Sequence, residues 1–192
     1  PRVSTYLGNL EQALEGEKVD STVSIMKSNG GIVGSSVAVR QPVHTALSGP
    51  AAGVMATLQI AESTGVLNCI SFDMGGTSTD VSLIKERHPT TNLGGNLGDW
   101  PIQLPMLDIV TIGCGGGSIA AVSASGGLSV GPASAGAVPG PVCYGLGGTE
   151  PTITDANLVL GRLSPDHFLG GRMKLDVDAA ANAIQTRCAD RL

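Results

Sequence analysis

The stretch Asp73-Met74-Gly75-Gly76-Thr77-Ser78-Thr79-Asp80 constrains this chain more than any other. An apolar run, Cys69-Ile70-Ser71-Phe72, leads into it, and a second, Val81-Ser82-Leu83-Ile84, leads out. Two apolar runs around a Gly-Gly turn predict strand, tight turn, strand. Glycine admits backbone conformations closed to other residues and has no Cβ to hold a ligand away. The N–H groups of such a turn can converge on an anion. Thr77, Ser78 and Thr79 add hydroxyls, and Asp73 and Asp80 supply hard oxygens suited to Mg²⁺ or another divalent cation. Two readings follow from the residues alone: a phosphate and metal cradle on a hairpin, or a Gly-Gly hairpin with capping hydroxyls.

The 192 residues are enough for one moderate domain or two small ones. Aromatic residues make up only 3% of the chain, so the expected core is Val, Ile, Leu, Ala and Met. The 28 glycines follow no collagen period and cluster between apolar runs, which predicts many tight connections. Net charge is −5, with no basic stripe and a single Trp, so nucleic-acid binding is not expected. Every apolar run stops well short of the roughly 18 residues of a membrane span, and no signal peptide is read at the N-terminus. Cys69, Cys114, Cys143 and Cys188 are widely spaced and form no Cys-x-x-Cys pair, which points to reduced thiols in a cytoplasmic protein. Pro1 stands where a start Met would be, so the chain is read as a piece of a larger protein.

Apolar residues at 6, 7, 10, 13 and 14 predict a first helix. Thr22–Met26 reads as a strand, broken by Ser28-Asn29-Gly30-Gly31. Residues 42–50 read as irregular. A helix is expected from Ala51 to Ser63, capped by Ser48 or Gly49, with Pro50 at its first position and Gly65 beyond its end. The first half thus alternates helix and strand, an α/β pattern. Residues 90–104, with Asn92, Gly94, Gly95, Asn96 and Gly98, read as loop. Leu107–Ile112 reads as a strand running into Gly113–Ser118. Ile119–Val122 and Leu128–Val130 predict a second hairpin. Residues 131–151 read as a long, ordered loop pressed against something. Thr154 or Asp155 is expected to cap a helix stopped by Gly161, and Asp176 to cap a last helix over 178–190.

Several segments together resemble the hydantoinase A/5-oxoprolinase family, which includes smaller subunits of acetone carboxylases. They are Ser28–Gly31, Ser48–Val54, Phe72–Val81, Thr111–Gly113 with Gly115–Ala120, Gly131–Gly136 and Pro139–Gly145 in part, and Thr149–Asn157 with Gly161–Leu163. The likeness covers nearly the whole chain in one order. Two positions depart from the family pattern. Val110 stands where a histidine or other polar residue is common, so a ligand role there is not carried over. Cys114 stands where alanine is usual.

The resemblance implies an actin-like or sugar-kinase-like (ribonuclease H-like) ATPase fold, present in part. Residues 1–88 would form a helix/strand layer ending in the phosphate-loop hairpin, and residues 89–192 a Gly-rich strand/loop region with C-terminal helices. It implies ATP and Mg²⁺ as cofactors. Partners would be a cyclic amide substrate of hydantoin or 5-oxoproline type, an N-terminal domain of the same chain and a hydantoinase B-like large subunit. The activity implied is ATP-dependent ring opening, with ATP-dependent carboxylation as the alternative, and the isolated fragment is expected to be inactive. Gly75, Gly76, Thr77, Ser78 and Thr79 would meet the phosphates together with Asp73, and Gly115, Gly116 and Gly117 would face nucleotide or substrate. Asp73 and Asp80 would hold the metal.

Asp108, ending an apolar strand, is read as a buried carboxylate needing a partner, either a ligand or an anchor. Asp155 is either a catalytic carboxylate or a helix cap, with Asn157 beside it. Glu150 is read as solvated. His44, His88 and His167 show no ligand spacing. Cys143 is read as a core thiol rather than a nucleophile, having no histidine near it in sequence.

Overall fold

The computed structural model describes residues 2–97 and 100–192, so the loop expectation for Gly98 lies outside the described residues. The chain forms two compact units, Pro1–Asp73 with Val81–Val110, and Met74–Asp80 with Thr111–Leu192. The division therefore falls at both edges of the glycine turn. The class is α/β with antiparallel strand pairing.

The first unit begins with helix α1 (Arg2–Gly16), in which only Leu7 is fully buried. Strands β1 (Ser24–Met26) and β2 (Ile32–Gly34) pair antiparallel across the Ser28–Gly31 turn. Ser28 is buried there, and its hydroxyl donates to the carbonyls of His44 and Ala46. Helix α2 (Ser35–Arg40) and a single 3₁₀ turn (Pro42–Thr45) follow, both in stretches the sequence left unread or irregular. Helix α3 (Ser48–Thr64) buries Ala51, Val54 and Ala61 along one stripe and ends at Gly65 with φ 77°. Its N-cap is Leu47 in the left-handed region with no side-chain cap, so Ser48 is the first helical residue and not the expected cap.

Strands β3 (Cys69–Met74), β4 (Thr79–Lys85) and β5 (His88–Pro89) pair in that order, and β8 (Val110–Ile112) also pairs with β4. Ile84 of β4 packs with Ala51, Val54 and Leu107, surrounded by Met26, Met55, Leu58, Cys69 and Ile109. This aliphatic and methionine core matches the composition. Full burial of such side chains is worth about 1.5–3 kcal/mol each.

The stretch read as loop over 90–104 is instead a β-ribbon. Strands β6 (Thr91–Leu97) and β7 (Trp100–Leu107) pair antiparallel, with a register shift between Leu93 and Gly95. Among the described residues the ribbon has only these two strands, so each lies at a sheet edge. Pro101 and Pro105 of β7 lack N–H groups, and a sheet edge tolerates that. The strand expected over Leu107–Ile112 is split, with β7 ending at Leu107 and β8 starting at Val110.

In the second unit, β9 (Ser118–Val122) and β10 (Leu128–Ser134) form the expected hairpin. A 3₁₀ turn (Val142–Tyr144) interrupts the long loop. Helix α4 (Ile153–Val159) is capped by Thr152 and not by Thr154 or Asp155. Asp155 is its third residue, and its side chain accepts from the Thr152 N–H, completing a capping box. Helix α5 (Val177–Arg187) is capped by Asp176, whose carboxylate accepts from the Ala179 N–H, as expected. Cys143, Leu158, Leu175 and Ala180 form the buried cluster of this unit, with Tyr144, Leu163, Phe168 and Met173 packed on it.

Candidate functional site

The turn between β3 and β4 is closed by the Gly75 N–H, which donates to the Ser78 carbonyl at 2.8 Å. The turn's carbonyls are taken up by the glycine loop Gly113–Ser118. Gly116 N–H donates to Gly75 O at 2.9 Å, and Gly117 N–H donates to Gly76 O at 2.6 Å. Thr79 is buried, and its hydroxyl donates to the Cys114 carbonyl at 2.5 Å. The Thr111 hydroxyl donates to Asp80 Oδ1 at 2.6 Å. What remains is a row of donors. Among the described residues, no protein acceptor meets the N–H of Gly76, Thr77 or Ser78, or the hydroxyls of Thr77 and Ser78. Gly75, Gly76 and Thr77 are solvent-exposed. An exposed turn with uncommitted N–H groups is suited to an anion.

The glycine loop needs glycine for a different reason. A Cβ on Gly115 would lie 2.6 Å from the backbone nitrogens of both Thr77 and Ser78. The loop is folded back on itself, with Gly115 N–H donating to the buried Ser118 hydroxyl at 2.8 Å. Helix α4 is tied to the same loop, since Thr154 donates to Gly116 O from its N–H at 2.8 Å and from its hydroxyl at 2.9 Å. Gly115 thus supports the turn from behind, while Gly116 and Gly117 border open space.

That space is a cavity of about 590 Å³, within the roughly 300–1,000 Å³ of small-molecule sites. One wall is Gly75, Gly76, Thr77, Gly116 and Gly117. The other is apolar, formed by Ala137, Pro141, Tyr144, Leu163 and Phe168, with Asn157 among them. Gly136 and Ala137 come from the loop expected to press against something, and they line this cavity.

A family model described as Hydantoinase/oxoprolinase matches residues 1–192. The chain belongs to this family. It is 41% identical over 192 residues to the caprolactamase subunit alpha of Pseudomonas jessenii, covering 100% of this chain and 28% of that one. It is 43% identical over 175 residues to 5-oxoprolinase 1 of Arabidopsis thaliana, covering 88% and 13%. Among solved structures, it resembles the nucleotide-free acetone carboxylase of a study of ATP-dependent acetone carboxylation. The TM-score is 0.81 at 31% identity, over 96% of this chain and 26% of the other. This hydantoinase/oxoprolinase chain therefore spans less than a third of the length of these relatives.

The remaining sequence-predicted residues fall as follows. Asp73 belongs to the first unit, where its Oδ2 would lie 3.5 Å from a Cβ on Gly53. Asp108, also in the first unit, is exposed rather than buried, because β7 ends before it, and its Oδ1 accepts from Asn92 Nδ2 at 3.1 Å. Asp155 is fully buried. Its carboxylate accepts from the N–H groups of Val142, Cys143 and Thr152 and from the Thr152 hydroxyl, at 2.8–3.2 Å. Glu150 pairs with Arg187 at 3.2 Å, both partly exposed. Among the described residues, no group of three or more His, Cys, Asp or Glu side chains is set for a metal. No helix among them is long and apolar enough to cross a membrane.

Cys143 is fully buried, as a core thiol is expected to be. Burial, followed by the neighbouring Asp155 carboxylate, pushes its thiol from 9.0 up to about 12. In the folded chain Cys143 should resist alkylation by iodoacetamide at pH 8 and become labelled once denatured, as peptide mass mapping would reveal. Because the folded-state value lies above the ordinary one, the thiol's contribution to stability is complete below about pH 9 and lost as pH rises towards about 12.

The apolar wall escaped the sequence reading. Tyr144 and Phe168 lie 24 positions apart, yet their ring centroids are 5.4 Å apart. The only signal available was the rarity of Tyr and Phe, four in the chain, of which Tyr144 and Phe168 meet here while Tyr6 and Phe72 are exposed.

Proposed function

We propose that this chain is the nucleotide-binding part of an ATP-dependent enzyme that opens a cyclic amide. The observation that carries the proposal is the set of uncommitted N–H groups of Gly76, Thr77 and Ser78, in a turn whose Gly75, Gly76 and Thr77 line a cavity of ligand size. The residues fit a polyphosphate: backbone and hydroxyl donors point to no protein acceptor, and a Cβ on Gly76 would meet nothing of the protein. Gly76, Thr77 and Ser78 hold phosphate oxygens, and Gly115 keeps the turn in place. Mg²⁺ commonly needs only one or two carboxylates besides phosphates and water. Asp80 and Asp73, which bracket the turn in sequence, are the carboxylates proposed for it. Bound ATP supplies the phosphoryl group that activates the substrate. The chain's own part is positioning and charge stabilisation around that group.

The amide-opening reading is supported by relatives named for caprolactam and 5-oxoproline, both cyclic amides. A carboxylase subunit is the second reading, favoured by the likeness to acetone carboxylase. An actin-like ATPase architecture, completed by an N-terminal domain of the same chain and a hydantoinase B-like subunit, accommodates both. The full-length protein with its partner subunit, offered hydantoin, 5-oxoproline and caprolactam, should release ADP in proportion to ring opening and without bicarbonate. ADP release that requires bicarbonate and a ketone would replace the first reading with the second. Absence of ATP binding would overturn both.

A further inference from the structure

We propose that Thr154 is a positioning residue for the phosphate turn, its hydroxyl acting through the Gly116–Gly117 and Gly76–Thr77 peptide groups on the Thr77 N–H. The inference rests on the phosphate reading of that turn and adds what aims and strengthens its donors.

A planar trans peptide group carries its C=O and N–H on opposite sides, so a hydrogen bond accepted at the one fixes the direction of the other. Thr154 donates twice to Gly116 O, from its N–H at 2.8 Å and from its hydroxyl at 2.9 Å. The N–H of that same peptide group is Gly117 N–H, which donates to Gly76 O at 2.6 Å. The N–H of the next peptide group is Thr77 N–H, which meets no protein acceptor among the described residues. A second series runs beside the first. Ala135 N–H donates to Gly117 O, Ser118 N–H to Gly115 O and Gly116 N–H to Gly75 O, each at 2.9 Å, and this series ends on the uncommitted Gly76 N–H. Each of these two free donors is the last link of its own series of peptide groups, all within the second unit. Bonds in such a series polarise one another, by roughly 10–30% per bond.

The two series differ in where a side chain enters. The one ending at Gly76 is backbone throughout, whereas the one ending at Thr77 starts at the Thr154 hydroxyl as well as its N–H. Thr154 is buried in the first turn of α4 and borders the cavity. Its hydroxyl proton is committed to Gly116 O, and the lone pairs left over offer a phosphate oxygen nothing. Thr154 therefore acts on an anion through the turn and not by contact. Glycine at 116 keeps the crossing open, since a Cβ there would lie 2.9 Å from Thr154 Oγ1. Without the hydroxyl, Gly116 O still accepts from the Thr154 N–H, so no buried acceptor is stranded and the fold should survive the loss.

The test uses the full-length protein, with Mg-tripolyphosphate as the probe. By calorimetry Thr154→Val should weaken the probe roughly 2- to 12-fold, the loss of one hydrogen bond's net worth, and Thr154→Ser should restore it. Thr154→Ala, which also lacks the hydroxyl, replaces Thr154→Val if that variant does not fold. The second readout is the amide proton spectrum of ligand-free protein labelled with ¹⁵N at Gly and Thr. In Thr154→Val the signals of Gly117 and Thr77 should move upfield, while those of Gly116 and Gly76, on the other series, hold their places. A merely structural role for Thr154 would move all four together, and that result would overturn the inference. So would an unchanged tripolyphosphate affinity in Thr154→Val, or a loss that Thr154→Ser does not restore. If the parent protein binds no tripolyphosphate, the phosphate reading fails and the role of Thr154 falls with it. If the parent binds the probe and Thr154→Val binds it equally well, only the role of Thr154 fails.

Discussion

Asp155→Ala is expected to lower folding stability by roughly 3–5 kcal/mol, read as a shift in the denaturation midpoint. The carboxylate is fully buried and accepts from the N–H groups of Val142, Cys143 and Thr152 and from the Thr152 hydroxyl. Alanine would strand all of these donors in the interior, and each unsatisfied buried group costs about 1–3 kcal/mol before relaxation. The loss would not stay local. Those bonds fix the 3₁₀ turn that carries Cys143 and Tyr144, and they fix the start of α4, whose Thr154 grips the glycine loop. Asp155→Asn separates anchoring from chemistry. It keeps the shape and one oxygen but places an amide donor against backbone donors, so stability should fall by less than in the alanine variant. If Asp155→Asn kept its midpoint and yet abolished turnover, the carboxylate would be acting on substrate and not on the fold.

The strand–turn–strand around Asp73–Asp80 was legible because its signals are local: apolar runs on either side and paired glycines between them. Asp176 and Gly65 were legible for the same reason, each sitting next to the helix it ends. The ribbon of Thr91–Leu97 and Trp100–Leu107 was not. Its glycines and prolines are breakers by propensity, and only the cross-strand pairing, such as Leu93 with Pro105, makes them strand residues. The α4 cap was misplaced by two or three residues although Thr152-x-x-Asp155 has capping-box spacing. The site was half legible. Gly75, Gly76 and Thr77 were marked by type and order, whereas the apolar wall depends on Tyr144, Leu163 and Phe168 meeting across a loop, which no spacing encodes. The purpose of Gly115 was equally hidden, because its neighbours Thr77 and Ser78 are more than thirty residues away in sequence.

Gly76, in the turn, and Gly115, packed against it, should respond to substitution in opposite ways. Gly76→Val should leave stability within about 1 kcal/mol of the parent, because a Cβ there meets no atom within 4 Å. The same variant should lower the affinity of the full-length protein for both ATP and tripolyphosphate by at least about a hundredfold. The added side chain would occupy the space an anion needs to reach the N–H groups of Gly76, Thr77 and Ser78, and hydrogen bonds to a charged ligand are worth roughly 1.5–3 kcal/mol each. Gly115→Ala should reverse the order of effects. Its Cβ would press on the backbone nitrogens of Thr77 and Ser78 at 2.6 Å, and backbone cannot swing aside as the end of a flexible side chain does. The turn must move, at a cost of about 1–3 kcal/mol in stability, with affinity falling because the donors no longer converge. Thermal melts and calorimetry on the two variants would separate the cases. A Gly76→Val protein that binds tripolyphosphate normally would show that no phosphate approaches this turn, and the hairpin's glycines and hydroxyls would then serve turn geometry alone.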